Sequence, residues 1–219
     1  MKSMHAVLTG DIVGSSKLMP TEHKKTMKIV RSVANVFPEM MVGKVDVFSG
    51  DSWQMVLSDC LGSVRVALYL RAILRREKEL NVDTRVSLVW GELDPRKVNK
   101  RHVSESVGDL FTLSGRRLAE LKKEACLSFY YSSKPEFSFA LNLSFGLLDA
   151  LIRKWSWQQS RAISGMLEGQ TQKALSEEFN ISQPAVNKSL ISSGWPELEV
   201  FFQQLESAIL EEKSENITL

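Results

Sequence analysis

Apolar and polar positions along the chain alternate in two different rhythms. His5-Ala-Val-Leu-Thr9 is a short unbroken apolar run that reads as a buried strand and ends at Gly10-Asp11. From Pro20 to Phe37 the apolar residues Met27, Val30, Val33, Ala34 and Phe37 recur every three or four positions behind a leading proline, the pattern of a helix. Between Lys44 and Leu57 the rhythm drops to two, on either side of Ser49-Gly50-Asp51, which predicts a hairpin. Leu61–Leu80 returns to helical spacing through Val64, Leu68 and Ala72 and ends in a charged run, Arg75 to Glu79. Thr84–Trp90 reads as a strand, Gly108–Lys123 contains a helix, and Ala125–Tyr131 reads as a last strand. The order β-α-β-β-α-β-α-β predicts an α+β fold: a ferredoxin-like, mostly antiparallel sheet with its helices on one face. After Pro135 the strand rhythm stops. Residues 141–155, 156–167, 171–179, 183–192 and 196–212 all carry helical spacing.

Charge supports a division at the polar stretch Ser132-Ser133-Lys134-Pro135. Residues 134–219 hold 7 Lys and Arg against 11 Asp and Glu, whereas residues 1–133 hold 21 against 15. A basic unit (1–133) followed by an acidic, all-α unit (134–219) suggests two different jobs. With 43% hydrophobic and 25% charged residues the composition is ordinarily globular, which excludes disordered, collagen-like and disulfide-scaffolded chains. No apolar run is long enough to span a membrane, and Met1–Thr9 is too short an apolar stretch for a signal peptide. Cys60 and Cys126 stand far apart in no metal spacing, as expected of reduced thiols in a cytoplasmic protein. His5, His23 and His102 show no zinc spacing either.

Two carboxylates stand out: Asp11 at the end of the first strand and Asp51 at the hairpin tip. If the first strand pairs beside the hairpin, both reach one edge of the sheet. Two such groups could share Mg²⁺ or Mn²⁺, since hard cations take oxygen ligands. Gly10, Gly14 and Gly50 would let a ligand approach the backbone, and the amides around Ser15 and Ser16 could face phosphate. Equally, both aspartates fit turn residues that bond their own backbone.

The segment Val7-Leu-Thr-Gly-Asp11-Ile12-Val-Gly14-Ser15-Ser16 resembles the first metal motif of class III nucleotide cyclases, and Ser49-Gly-Asp51-Ser52 their second. Arg85–Leu93 is similar to a later core strand, and Gly108-Asp109 to Leu118 to the segment carrying their catalytic Asn and Arg. Over essentially its whole length the chain is also similar to the SatD family. It shares that family's Gly-Asp-Ile opening, its Gly50-Asp51-Ser52-Trp53-Gln54 and Gly91-Glu92-Leu93 segments, and a helix running through Gly115-Arg116-Arg117-Leu118-Ala119 into Leu121-Lys122. The resemblance implies a metal pair at Asp11 and Asp51 with the Ile12 carbonyl. It further implies nucleotide contacts at Gly14, Ser15, Ser16 and Asp109, and a transition-state arginine at Arg116 or Arg117. Val47 stands where a cyclase has its base-reading lysine, and Thr112 where it has its asparagine. Their loss argues against efficient cyclisation of ATP but not against binding of a nucleotide or metal. Arg116 and Arg117 also fit an exposed basic helix face.

Thr171 to Leu190 carries a helix-turn-helix pattern. Ala174 is small where two helices would touch, Asn180 suits the tight turn, Ile181 would plug the core, and Ser182 with Pro184 would open the second helix. Val186 and Leu190 would face inward. Gln183, Ala185, Asn187, Lys188 and Ser189, with Lys173, would face a DNA groove. The net negative charge of this unit argues instead for a packing module, because DNA affinity grows from neutralised phosphates. The expectation is a DNA-binding regulator with a degenerate, cyclase-like sensor for a nucleotide or divalent metal. An active cyclase or other phosphoryl-transfer enzyme, and a non-catalytic scaffold, are the alternatives. Cyclases build each site across two chains and helix-turn-helix proteins gain from paired half-sites, so a homodimer is expected.

Overall fold

The computed structural model describes residues 2–122 and 125–215, with side chains to residue 210. Met1, Lys123 of the third predicted helix, and the last four residues of the acidic unit lie outside the described residues. In chain order the elements are β1 (Ser3–Ile12), α1 (Pro20–Val36), β2 (Asp46–Phe48), β3 (Ser52–Leu57), α2 (Cys60–Arg75), β4 (Thr84–Leu93), α3 (Asp109–Glu120) and β5 (Leu127–Tyr131). They continue with α4 (Pro135–Ile152), α5 (Trp157–Leu167), α6 (Gln172–Phe179), α7 (Gln183–Ser192) and α8 (Trp195–Glu215).

The five strands lie in the order β2-β3-β1-β4-β5. β1 is central and antiparallel to both β3 and β4, and β2 closes the hairpin on β3. These four strands with α1 and α2 form the expected ferredoxin-like arrangement. β5 is added in parallel beside β4, reached through α3.

The helices do not all share one face. Ala6, Leu8, Met55, Leu57, Leu88 and Trp90 pack toward α1 and α2, while Val7, Val56 and Val89 pack with Leu110 and Phe111 of α3. Because neighbouring residues of a strand point to opposite faces, covering both faces requires both sets to be apolar. The unbroken run Ala6-Val7-Leu8 is therefore buried throughout.

α2 stops at Arg75, short of Leu80. The charged run turns back through Asn81 in the left-handed region (φ 46), and this tucks Leu80 and Val82 into the core. α4 begins at Pro135 rather than at 141, with proline in its first turn, where the missing N–H costs nothing.

α4 closes the outer edge of the sheet. The Asn142 carboxamide accepts from the Phe129 N–H (2.9 Å) and donates to the Phe129 carbonyl (2.6 Å). Ser138 Oγ accepts from the Tyr131 N–H (2.7 Å). An edge strand otherwise offers its backbone to any passing chain, and here two helical side chains take that place.

The sheet and the later helices share one contiguous apolar core that runs from Ala6 through Phe129, Phe145 and Trp155 to Leu205. Inside it lies an ion network. Arg71, fully buried, forks onto Asp83 (2.9 and 2.6 Å) and reaches Asp149 of α4 (2.7 Å). Asp149 also accepts from the Cys126 N–H (3.0 Å). Arg75 joins Asp83 and caps the carbonyls of Arg153 and Trp155 beyond the end of α4 (3.0 Å each).

Candidate functional site

Asp11 lies inside β1, not beyond its end, opposite Ser52 on one side and Arg85 on the other. Gly10 makes this possible. A Cβ there would meet the Trp53 ring at 2.2 Å and the Arg85 carbonyl at 2.3 Å, so the residue serves close packing rather than ligand approach. The Trp53 indole N–H donates to Thr84 Oγ1 (2.9 Å), and the Thr84 hydroxyl donates to the Asp11 carbonyl (2.7 Å). The end of β1 is thus fixed from both neighbouring strands.

The Arg85 guanidinium grips the Asp11 carboxylate with two donors, Nε on Oδ1 (2.8 Å) and Nη2 on Oδ2. That hydrogen bonding holds Arg85 more firmly protonated than usual, and the charge of Asp51 adds to the effect. Asp51 follows Ser49 and Gly50, both at positive φ, in the hairpin turn. Its carboxylate accepts from the Ser15 hydroxyl. Gly14 (φ 71) turns the chain so that Ser15–Lys17 forms a single helical turn. Ser16 is exposed, and Ile12 faces the core beside Thr84.

Asp11–Arg85 and Asp51–Ser15 are therefore two polar pairs at a single edge of the sheet, the edge the sequence singled out. Two carboxylates would be enough for a cation that keeps most of its waters. As arranged, however, the residues do not fit one, because a guanidinium already stands on both Asp11 oxygens. Among the described residues, no group of three or more metal-capable side chains gathers anywhere.

The other expected residues stand elsewhere. Asp109 opens α3 over the opposite end of the sheet, where Leu110 meets Gly91. Ser114, five residues on, bonds Thr9 (2.8 Å). One helical stretch of about 7 Å and two further strand residues thus separate Asp109 from the level of Asp11. Arg116 and Arg117 face Glu120 at 4.0 and 3.6 Å, and Arg117 also lies over the Tyr130 ring (4.3 Å). Thr112 is exposed and bonds back to the Gly108 carbonyl (3.3 Å). Val47 is half-buried in the short strand β2.

A polar row was not foreseen. Gln54, Thr9, Ser87 and Ser128 are register partners across β3, β1, β4 and β5. Gln54 Nε2 donates to Thr9 Oγ1 (2.7 Å) beneath Ser114. Polar residues at alternate positions of otherwise apolar strands were the available signal. The buried Arg71 had a signal too, since it shares the spacing of Val64, Leu68 and Arg75 on the inward face of α2.

The helical pair α6–α7 has the expected turn. Thr171 Oγ1 accepts from the Ala174 N–H, Asn180 is left-handed (φ 53), and Ser182 Oγ accepts from the Ala185 N–H. Two details differ. Ala174 is exposed, and the close helix contact is Leu175 against Gly165 of α5. Ile181 is 46% exposed rather than a core plug, because Leu175, Val186 and Leu190 already fill the space between the helices. Lys173, Gln183, Ala185, Asn187 and Lys188 are exposed, and Ser189 is half-buried.

No helix among the described residues is long and apolar enough to cross a membrane. No protein-family model matches the chain. No curated protein matches it either. Among solved structures it is similar to the guanylyl cyclase Cya2 (20% identity, 63% of this chain, 79% of that one, TM-score 0.45). It is also similar to a bacterial light-regulated adenylyl cyclase (18%, 59% and 76%, TM-score 0.44). A third likeness is to the adenylyl cyclase CyaB from P. aeruginosa (13%, 54% and 72%, TM-score 0.40).

Proposed function

We propose that the protein is a DNA-binding regulator whose sheet edge takes a nucleotide without turning it over. The observation that carries this reading is α7. Val186 and Leu190 are buried on one side, and Gln183, Ala185, Asn187 and Lys188 are exposed on the other, behind a tight, capped turn. A helix so held presents short polar side chains of the kind that read base edges. One acidic unit neutralises few phosphates, so binding would use a homodimer with two such helices. The sequence segments similar to the SatD family and to nucleotide cyclases accord with this reading. At the sheet edge, Arg85 and the amides around Gly14, Ser15 and Ser16 are the groups suited to phosphate. Mg²⁺ or Mn²⁺ could join only after Arg85 leaves Asp11.

The test is selection of duplexes from a random library, followed by anisotropy titration at two salt concentrations. Lys188→Ala and Asn187→Ala each lose about tenfold in affinity at an unchanged melting temperature, roughly the worth of one good contact. Retention of no duplex at 50 mM salt removes the DNA reading. Calorimetry with each nucleoside triphosphate, with and without Mn²⁺, tests the sheet edge separately.

A further inference from the structure

At the end of the sheet opposite Asp11, a cleft of about 520 Å³ opens between the strand ends, the start of α2 and the Glu206–Leu210 stretch of α8. Met4 and Asp11 are seven residues apart on β1, so the cleft is about 23 Å from the Asp11–Arg85 pair. It is independent of the site discussed above. Its volume is that of a pocket for a small organic molecule.

The cleft has an apolar body and an acidic rim. Trp90 and Tyr131 form aromatic wall, their ring centroids 6.0 Å apart, and Ile209 and Leu210 of α8 face them. Leu210 is 58% exposed, an apolar side chain left open to an incoming ligand. Among the described residues, Asp59 and Glu206 are the charged ones that line it, and no Lys or Arg does. Asp59 stands at the N-cap position of α2 without a side-chain capping bond, beside a helix N-terminus that carries about half a positive charge. Two carboxylates outweigh that, and the described lining of the cleft is left net negative. Anionic ligands are thereby disfavoured, and neutral ones leave the rim unused. A cation with an apolar tail would bury the tail against Leu210 and Trp90 and set its charge between the carboxylates, close to aromatic rings that also attract cations.

We infer that this cleft binds a small organic amine with an aromatic or aliphatic body. Bound there, the ligand would bridge the strand ends and α8, the helix that follows the α6–α7 pair.

Calorimetry on the full chain with 4-phenylbutylamine and with 4-phenylbutyric acid tests this, because the two probes share a body and differ in charge. The amine is expected to bind one per chain, and the acid at least tenfold more weakly. Glu206→Gln and Asp59→Asn should each weaken the amine by about three- to tenfold. Both replace exposed carboxylates, and the Asp59 side chain makes no capping bond that asparagine would lose. Ile209→Trp should fill the cleft and abolish binding. Equal binding of amine and acid, or no binding of either by the wild-type chain, overturns the inference. So does amine affinity unchanged in both carboxylate variants.

Discussion

Gly10 shows how far one residue can be dictated by its neighbours. Its Cα faces the Trp53 indole, and a methyl group there has nowhere to go. Gly10→Ala should therefore destabilise the fold by about 1–3 kcal/mol, the scale of overpacking in a tight core, read as a lowered urea midpoint. Relief of that loss by adding Trp53→Phe would identify the ring as the obstacle. Cys126 gives a second prediction. Burial pushes its thiol up to about 11 from an ordinary 9.0. As pH rises from 8 to 10.5 the unfolded thiol loses its proton while the folded one keeps it. The folded state then binds more protons, and stability falls with rising pH by about 2 kcal/mol. The Tyr69 hydroxyl, raised by burial and by Glu168, acts in the same direction. Urea midpoints at the two pH values measure the loss, and Cys126→Ala should remove the cysteine's share while leaving that of Tyr69. An unchanged midpoint between pH 8 and 10.5 would contradict both assignments.

At the level of elements, α4 is the part whose role the sequence hid. Its Asn142 and Ser138 meet the backbone of β5. Asn142→Ala leaves the Phe129 N–H and carbonyl without that partner and should cost about 1–3 kcal/mol, measured by urea unfolding. Asn142→Asp, which keeps the acceptor but loses the donor, should recover only part. A cost below about 0.5 kcal/mol for the alanine variant would mean that water replaces the carboxamide. The strands, the hairpin and the capped α6–α7 turn were legible because each is written locally, in alternation or in a few residues of turn chemistry. Asp11 and Asp51 were legible as a pair for the same reason: strand end and hairpin tip follow from order alone. The grip of Arg85 on Asp11 was not, since it depends on the register between β1 and β4. The inward spacing of Arg71 on α2 was there to read, but an arginine in a helix is ordinarily taken as exposed. The placement of α3 on the second face was half-written in Val7, Val56 and Val89, whose alternation partners are equally apolar.

The whole molecule is tied together where the sequence suggested a seam. Arg71 and Arg75 of α2 hold Asp149 and the carbonyls after α4, and one apolar core continues across residues 132–135. A fragment of residues 1–133 would keep Arg71 without Asp149 and would leave β5 uncovered. Breaking a buried pair from one side costs about 3–5 kcal/mol, a large share of ordinary domain stability. Such a fragment should be insoluble or non-cooperative in thermal melts, and a soluble, sharply melting one would restore an independent first unit. The clamp on β5 also governs how the intact chain breathes. The Phe129 and Tyr131 amide protons point at α4 side chains rather than at another strand. Lifting α4 alone would expose them to solvent deuterium, while the amides of β1, laddered on both sides, must wait for global unfolding. Neighbouring strands of one sheet would thus exchange on different clocks, with the slower one at the centre and the faster one at the α4 edge.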